Sequence, residues 1–148
     1  MFQRILVAVD SSPARHAAVR LAGDMARLTG AKVKVLHVAA SAATLAAVVP
    51  LEDDAEARGV LDEAVGALRD AGVEAEGTLA EGLTTQIAAT IADTAEEFQA
   101  DLLVLIPHHR GSLEALFNPR VSDAVAHTSR TAVLLVPENP ESAGSDKA

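Results

Sequence analysis

The chain contains no cysteine, no tryptophan and no tyrosine, and three phenylalanines are its only aromatic residues apart from histidine. Without cysteine there is no disulfide framework and no thiolate to bind a metal or attack a substrate, which fits a reducing cytoplasm. With so few aromatic rings, unpaired bases have almost nothing to stack on, which argues against recognition of RNA or single strands. Positive charge is short as well. Against 12 Lys and Arg stand 21 Asp and Glu, a formal net charge of −9, whereas duplex binding draws its affinity from cations that neutralise phosphates. Long apolar runs are also missing. The N-terminal "MFQRILVAVDSS" ends its apolar run at Asp10 and has no small-residue cleavage site, and "VAASAATLAAVVPL" from Val38 is too short and too rich in Ala and Ser to span a bilayer. These absences lead to an expected cytoplasmic protein with neither a nucleic-acid nor a membrane partner.

What the chain does have is a hydrophobic fraction of 49% in 148 residues, enough for one domain with a core of Val, Leu, Ile and Ala. Short β-branched runs alternate with longer segments of helical period, the pattern of βαβ units around a parallel sheet. Five strands are expected: Arg4 to Val9, Lys32 to Val38, Val73 to Ala80, Asp101 to Ile106 and Ala132 to Pro137. The first, fourth and fifth are nearly continuous apolar runs, as in strands covered on both faces, while the third alternates and belongs nearer an edge.

Between the first two strands, Ser12 and Pro13 form an N-cap and first-turn pair, Ala14, Ala17, Leu21, Met25 and Leu28 form an apolar stripe, and Gly30 closes the helix. A second helix begins near Glu52, Asp53 and Asp54, buries Leu61, Val65 and Leu68, and stops at Gly72. A third buries Leu83, Ile87, Ile91 and Phe98. Asn118 and Pro119 open a fourth, with Val121 and Val125 turned inward. The Ala-rich stretch from Ala40 to Val49 is a connection of unassigned conformation. Residues 138 to 148, "ENPESAGSDKA", form a polar tail expected to be disordered, so the domain covers residues 1 to 137. No internal repeat is present.

Taken together, "ILVAVDSSP", the "VLHV" closing the second strand, "AEEFQADLLVL" and "RTAVLLVP" resemble the universal stress protein family over the whole chain before the tail. The resemblance implies an α/β fold, an open five-stranded parallel sheet in the order 3-2-1-4-5 with helices on both faces, and a homodimer often joined through its fifth strands. It implies no activity by itself. Nucleotide-binding members carry G-x-x-G, nine residues and then G-[S/T] after strand four, while an Asp after strand one and a Val after strand two hold the nucleoside. Projected onto this chain, Asp10 and Val38 match the nucleoside positions, but the three glycine positions hold Ile106, His109 and Pro119, and the Ser/Thr position holds Arg120.

The chemistry of that exchange is adverse to phosphate. A phosphate loop converges backbone N–H groups on oxygen, and glycine permits both the positive φ and the close approach. A β-branched Ile106 resists both, Pro119 and Pro107 have no N–H to offer, and Gly111 is out of register with the motif. His108, His109 and Arg110 form a basic patch whose side chains could replace the backbone cradle, or simply a solvated loop. Arg120 could meet an anion, or pair with Asp123 or Glu114. Adjacent histidines rarely chelate one ion, so no metal site is expected. Asp10 could accept a hydrogen bond from a nucleoside or order its own turn, and Val38 could present its backbone to a base or simply end a buried strand. His16, His37 and His127 have no companion motif and read as structural or exposed.

No nucleophile elbow, Walker loop or dinucleotide fingerprint is present, so no catalytic residue is assigned. The leading expectation is a dimeric stress-response or regulatory protein that acts through protein association, with an unidentified protein as a further partner, does not bind ATP and needs no cofactor. Its interface is expected at Val133, Leu134, Leu135 and Val136, because an unbroken apolar row on a sheet edge invites pairing. The alternative is an adenine nucleotide sensor, taking ATP or AMP, in which Asp10, Val38, His109, Arg110 and Arg120 form the site. A third reading is a hydrolase of ATP or another phosphate ester.

Overall fold

The computed structural model describes residues 1–106 and 131–137. Five parallel strands, β1 (Arg4–Val9), β2 (Lys32–Ala43), β4 (Ala75–Leu83), β5 (Leu102–Leu105) and β6 (Ala132–Leu135), lie in the order β4-β2-β1-β5-β6. This is the expected 3-2-1-4-5 arrangement. A sixth strand, β3 (Val48–Pro50), pairs antiparallel with the end of β2 and makes the open α/β sheet mixed. The alternating strand, β4, lies at the edge beside β2, as its pattern suggested.

Strand side chains point alternately to the two faces, and each face has its own helical cover. Ile5, Val7, Val9, Val33, Val35 and Val104 pack against α1 (Arg15–Thr29) and α2 (Asp54–Asp70). Leu6, Ala8, Leu36, Leu103 and Leu105 pack against α3 (Ile87–Phe98). β1 and β5 are therefore apolar at successive positions because both of their faces are covered. α2 lies so close to β4 that a Cβ at Gly77 would stand 2.9 Å from Val65 and 3.0 Å from Leu61, so the strand needs glycine there. Gly30 closes α1 at φ 76°, and Asp53 caps α2 by accepting the Glu56 N–H at 2.8 Å.

The bottom of the sheet is tied by one carboxylate. Asp101, just before β5, accepts the backbone N–H of Gln3 at 2.8 Å and of Arg4 at 3.0 Å, closing the amino-terminal end of β1. Hydrogen bonds to a charged acceptor are each worth roughly 1.5–3 kcal/mol, with solvent screening reducing that here. Asp101→Ala is therefore expected to lower unfolding free energy by about 2 kcal/mol in urea titrations, with Asp101→Asn losing less. Equal stability of Asp101→Ala and the parent would show that the pair of bonds contributes nothing.

Several expectations are corrected. The second strand runs five residues past Val38 and turns back at Thr44–Ala47 into β3, so the Ala-rich connection is mostly a hairpin. Ser12 and Pro13 do not cap and open α1; their carbonyls accept from Arg15 and His16 in a lead-in turn, and the N-cap is Ala14, without a side-chain bond. The buried stripe of α1 is Ala18, Val19, Ala22, Gly23 and Ala26, with Ala14, Ala17, Leu21 and Met25 flanking it and Leu28 84% exposed. Alanines at both 17 and 18 make two neighbouring faces apolar, and the sheet takes the one with the smaller side chains. Leu83 ends β4 instead of joining the third helix, and Phe98 is only half-buried. The expected fourth helix from Asn118 and the tail from Glu138 lie outside the described residues.

Candidate functional site

At the carboxyl ends of β1 and β2 a cleft of about 330 Å³ opens between Asp10–Ser12, the β2–β3 hairpin and the start of α3. It lies beside β1, from which the chain builds the sheet in both directions, β2 and β4 on one side and β5 and β6 on the other. Open α/β sheets place ligands at the carboxyl ends of strands near such a reversal. Its volume falls at the lower end of ligand pockets, roughly 300–1,000 Å³. Ile87 and Ile91 of α3 with Ala8 and Leu36 make an apolar wall against which Ala40 packs, and Leu51 from the hairpin also lines the cleft.

Ser41 pairs with Leu83 of β4 on one edge of β2 and with Pro50 of β3 on the other, so β3 lies on the β1 side, beyond the end of β1. The β1 ladder stops at Val9 opposite His37, and the next contact on that edge is the Leu51 N–H on the Ala40 carbonyl at 3.0 Å. Val38 lies in the gap. Lys32 donates its N–H to Gln3 and Val33 donates to Glu74, so even-numbered residues of β2 turn their backbone toward β1 and odd-numbered ones toward β4. The Val38 carbonyl accordingly faces the gap, while its half-buried side chain packs with the α3 core.

Asp10 orders the turn that borders the cleft: its Oδ1 accepts the Ser12 N–H at 2.9 Å. Arg15 holds the same turn from outside, donating to the carbonyls of Ser11 at 2.9 Å and Ser12 at 3.0 Å. Asp10 and Val38 thus line one cleft. His109, Arg110 and Arg120 lie outside the described residues. Ile106, at the first position where the family's binders have glycine, is 1% exposed and packs in the α1–α2 core.

The sequence reading missed the pair beneath the cleft. His37 is 2% exposed, and its Nδ1 lies 3.0 Å from the Val9 carbonyl, which can only accept, so Nδ1 carries a hydrogen. Its Nε2 lies 2.6 Å from Glu52 Oε1, a hydrogen bond that requires one shared proton. Glu52 Oε2 is buried without a partner among the described residues. The pair pins the return of the hairpin, just before α2, onto the end of β1. Only the register of β3 brings Glu52 to His37, and no local motif signals it. Glu52→Gln can still donate to Nε2, whereas Glu52→Ala leaves a buried ring nitrogen unpaired, at a cost of about 1–3 kcal/mol. Denaturant titrations are expected to show Glu52→Ala clearly less stable than Glu52→Gln, and equal stability of the two would remove the pair from the account of the hairpin.

Among the described residues, no group of three or more His, Asp or Glu side chains is placed to hold a metal ion, and no helix is long and apolar enough to cross a membrane. The architecture matches solved structures over nearly its whole length. A universal stress protein in complex with cAMP is 24% identical, with a TM-score of 0.66 over 93% of this chain and 98% of that one. A universal stress protein from Archaeoglobus fulgidus in complex with dAMP is 27% identical, with a TM-score of 0.64 over 90% and 96%. A family member from Arabidopsis thaliana with AMP bound is 18% identical, with a TM-score of 0.59 over 94% of both chains. No match is found among curated proteins. The family model for universal stress proteins matches residues 1–137, and the chain belongs to the universal stress protein family.

Proposed function

We propose that this universal stress protein is a regulatory nucleotide sensor whose cleft takes an adenine nucleoside or nucleoside monophosphate and discriminates against ATP. The observation that carries the reading is the backbone gap at Val38. A carbonyl facing an apolar-walled cleft accepts a hydrogen bond from an exocyclic amino group such as the one adenine carries, and would repel the carbonyl that guanine has in its place. The cleft's ionisable walls among the described residues are Asp10 and the Glu52–His37 pair, which favour hydroxyl and amino donors over phosphate. The 27%-identical relative in complex with dAMP supports a monophosphate of adenine as the ligand class. Ile106, His109, Pro119 and Arg120 in place of the glycine motif weigh against a held triphosphate. On this reading the output is regulation through protein association.

Calorimetry with adenosine, AMP, cAMP, ATP and GMP tests the proposal. Micromolar binding of AMP or adenosine is expected, with ATP and GMP weaker by roughly tenfold or more, the equivalent of one lost hydrogen bond to a polar partner. Silence with every adenine ligand, or ATP binding more tightly than AMP, would overturn it.

A further inference from the structure

On the sheet face opposite α3, α1 and α2 enclose a second cavity of about 300 Å³. Val19, Gly23, Ala64 and Leu68 form its buried floor, and the exposed methyls of Ala67 and Ala71 form one wall. Small side chains dominate because Gly23 lies directly against Leu68, where an added Cβ would come within 3.1 Å of Cδ2. Above this floor, α1 carries Arg20 and Arg27. Seven residues put them on one side of the helix, about 10 Å apart along its axis, with Gly23 between them.

Charge is what sets this groove apart. The chain carries a net −9, yet Arg15, Arg20 and Arg27 stand here together with His16. Glu63 is occupied by Arg15 at 3.3 Å, with His16 at 3.7 Å. Arg20 and Arg27 make no ion pair or hydrogen bond among the described residues, and both are exposed. Asp24 also lines the groove, four residues after Arg20 and three before Arg27, so this rim sets two guanidinium groups against one carboxylate and keeps a net positive charge. An uncharged floor with guanidinium groups along its rim fits a ligand with an anionic head and an aliphatic body, since guanidinium pairs with carboxylate through two parallel hydrogen bonds.

We propose that the α1–α2 groove is a binding site for a free organic anion with an aliphatic body, separate from the nucleotide cleft and independent of it. The head group meets Arg20 or Arg27, and the body lies on Val19, Gly23, Ala67 and Ala71. The site needs no nucleotide, so it stands or falls apart from the function proposed above.

Amide and methyl NMR of the full chain, titrated with decanoate, tests it. Decanoate is expected to give saturable shifts centred on Val19, Gly23, Ala67 and Leu68, while inorganic phosphate and decyltrimethylammonium give none there. Arg20→Glu combined with Arg27→Glu is expected to weaken decanoate roughly tenfold or more through loss of two charge-assisted contacts. Ala67→Glu, at an exposed position where folding is not at stake, is expected to weaken it similarly. Shifts that are absent, that centre elsewhere, that survive the double charge reversal, or that decyltrimethylammonium reproduces would each overturn the proposal.

Discussion

Val133→Pro is expected to turn a homodimer into folded monomers. β6 is held from one side only among the described residues: Ala132 donates to Asp101 and Val136 to Leu105, so the even-numbered N–H groups are spent on β5. The N–H groups of Val133 and Leu135 therefore point away from the sheet, and Pro137 has none. We propose that a second copy of β6 satisfies them by antiparallel pairing about a two-fold axis. Proline at 133 removes an outward donor and spares the ladder to β5, the one place an edge strand tolerates it. Leu135→Lys places a charge in the same seam, on a side chain that is 44% exposed. Of the four residues expected at the interface, Val133 and Leu135 supply exposed apolar surface. Leu134 packs against the α1–α2 core and Val136 is 7% exposed within it, so those two side chains serve the monomer. By light scattering at tens of micromolar, the parent is expected at twice the chain mass and Val133→Pro at the chain mass. The dimer constant is expected to weaken about a hundredfold, or about 2.7 kcal/mol. A monomeric parent, or a folded Val133→Pro protein that remains a dimer, rules out this interface.

The second large effect is expected with nucleotide. A ligand at about 100 times its dissociation constant stabilises the folded state by about 2.7 kcal/mol, which moves a melting curve visibly. AMP is expected to do so, and ATP at the same concentration to stabilise by about 1.4 kcal/mol or less. At the first glycine position a loop would have to bring its backbone to the phosphates, yet Ile106 is turned into the core at 1% exposure. Pro119, wherever it lies, has no N–H to give. Phosphate release from ATP is accordingly expected at the rate of a buffer control. Turnover that survives purification and is lost in Asp10→Ala or His109→Ala would establish the hydrolase reading in its place. Asp10→Ala also releases the Ser12 turn, so its loss of AMP binding must be read beside an intact fold.

Much of this fold is legible along the chain because it depends on neighbours in sequence. The apolar runs at 4–9 and 101–106 are strands covered on both faces, the alternating run before Leu83 is an edge strand, and Gly30 and Asp53 end and begin helices by local geometry. Their order in the sheet follows from the family resemblance, and the structure has the same order. The stripe of α1 was misplaced by about one position because Ala17 and Ala18 make two faces equally apolar, and only contact with β1 and α2 chooses between them. The cleft was half legible. Asp10 and Val38 could be named from their places after two strands, but whether either faces a ligand depends on where the neighbouring strands stop. β1 ends at Val9, β3 begins its pairing at Ser41, and the Val38 carbonyl is left facing the gap between them. Glu52 and His37 are 15 residues apart, and no helical or strand period joins them; they meet only because the hairpin folds back over β1. Periodicity reports which side of an element is apolar. What that side rests against, and where a ladder leaves a backbone group open, is decided by long-range pairing that the local sequence does not encode.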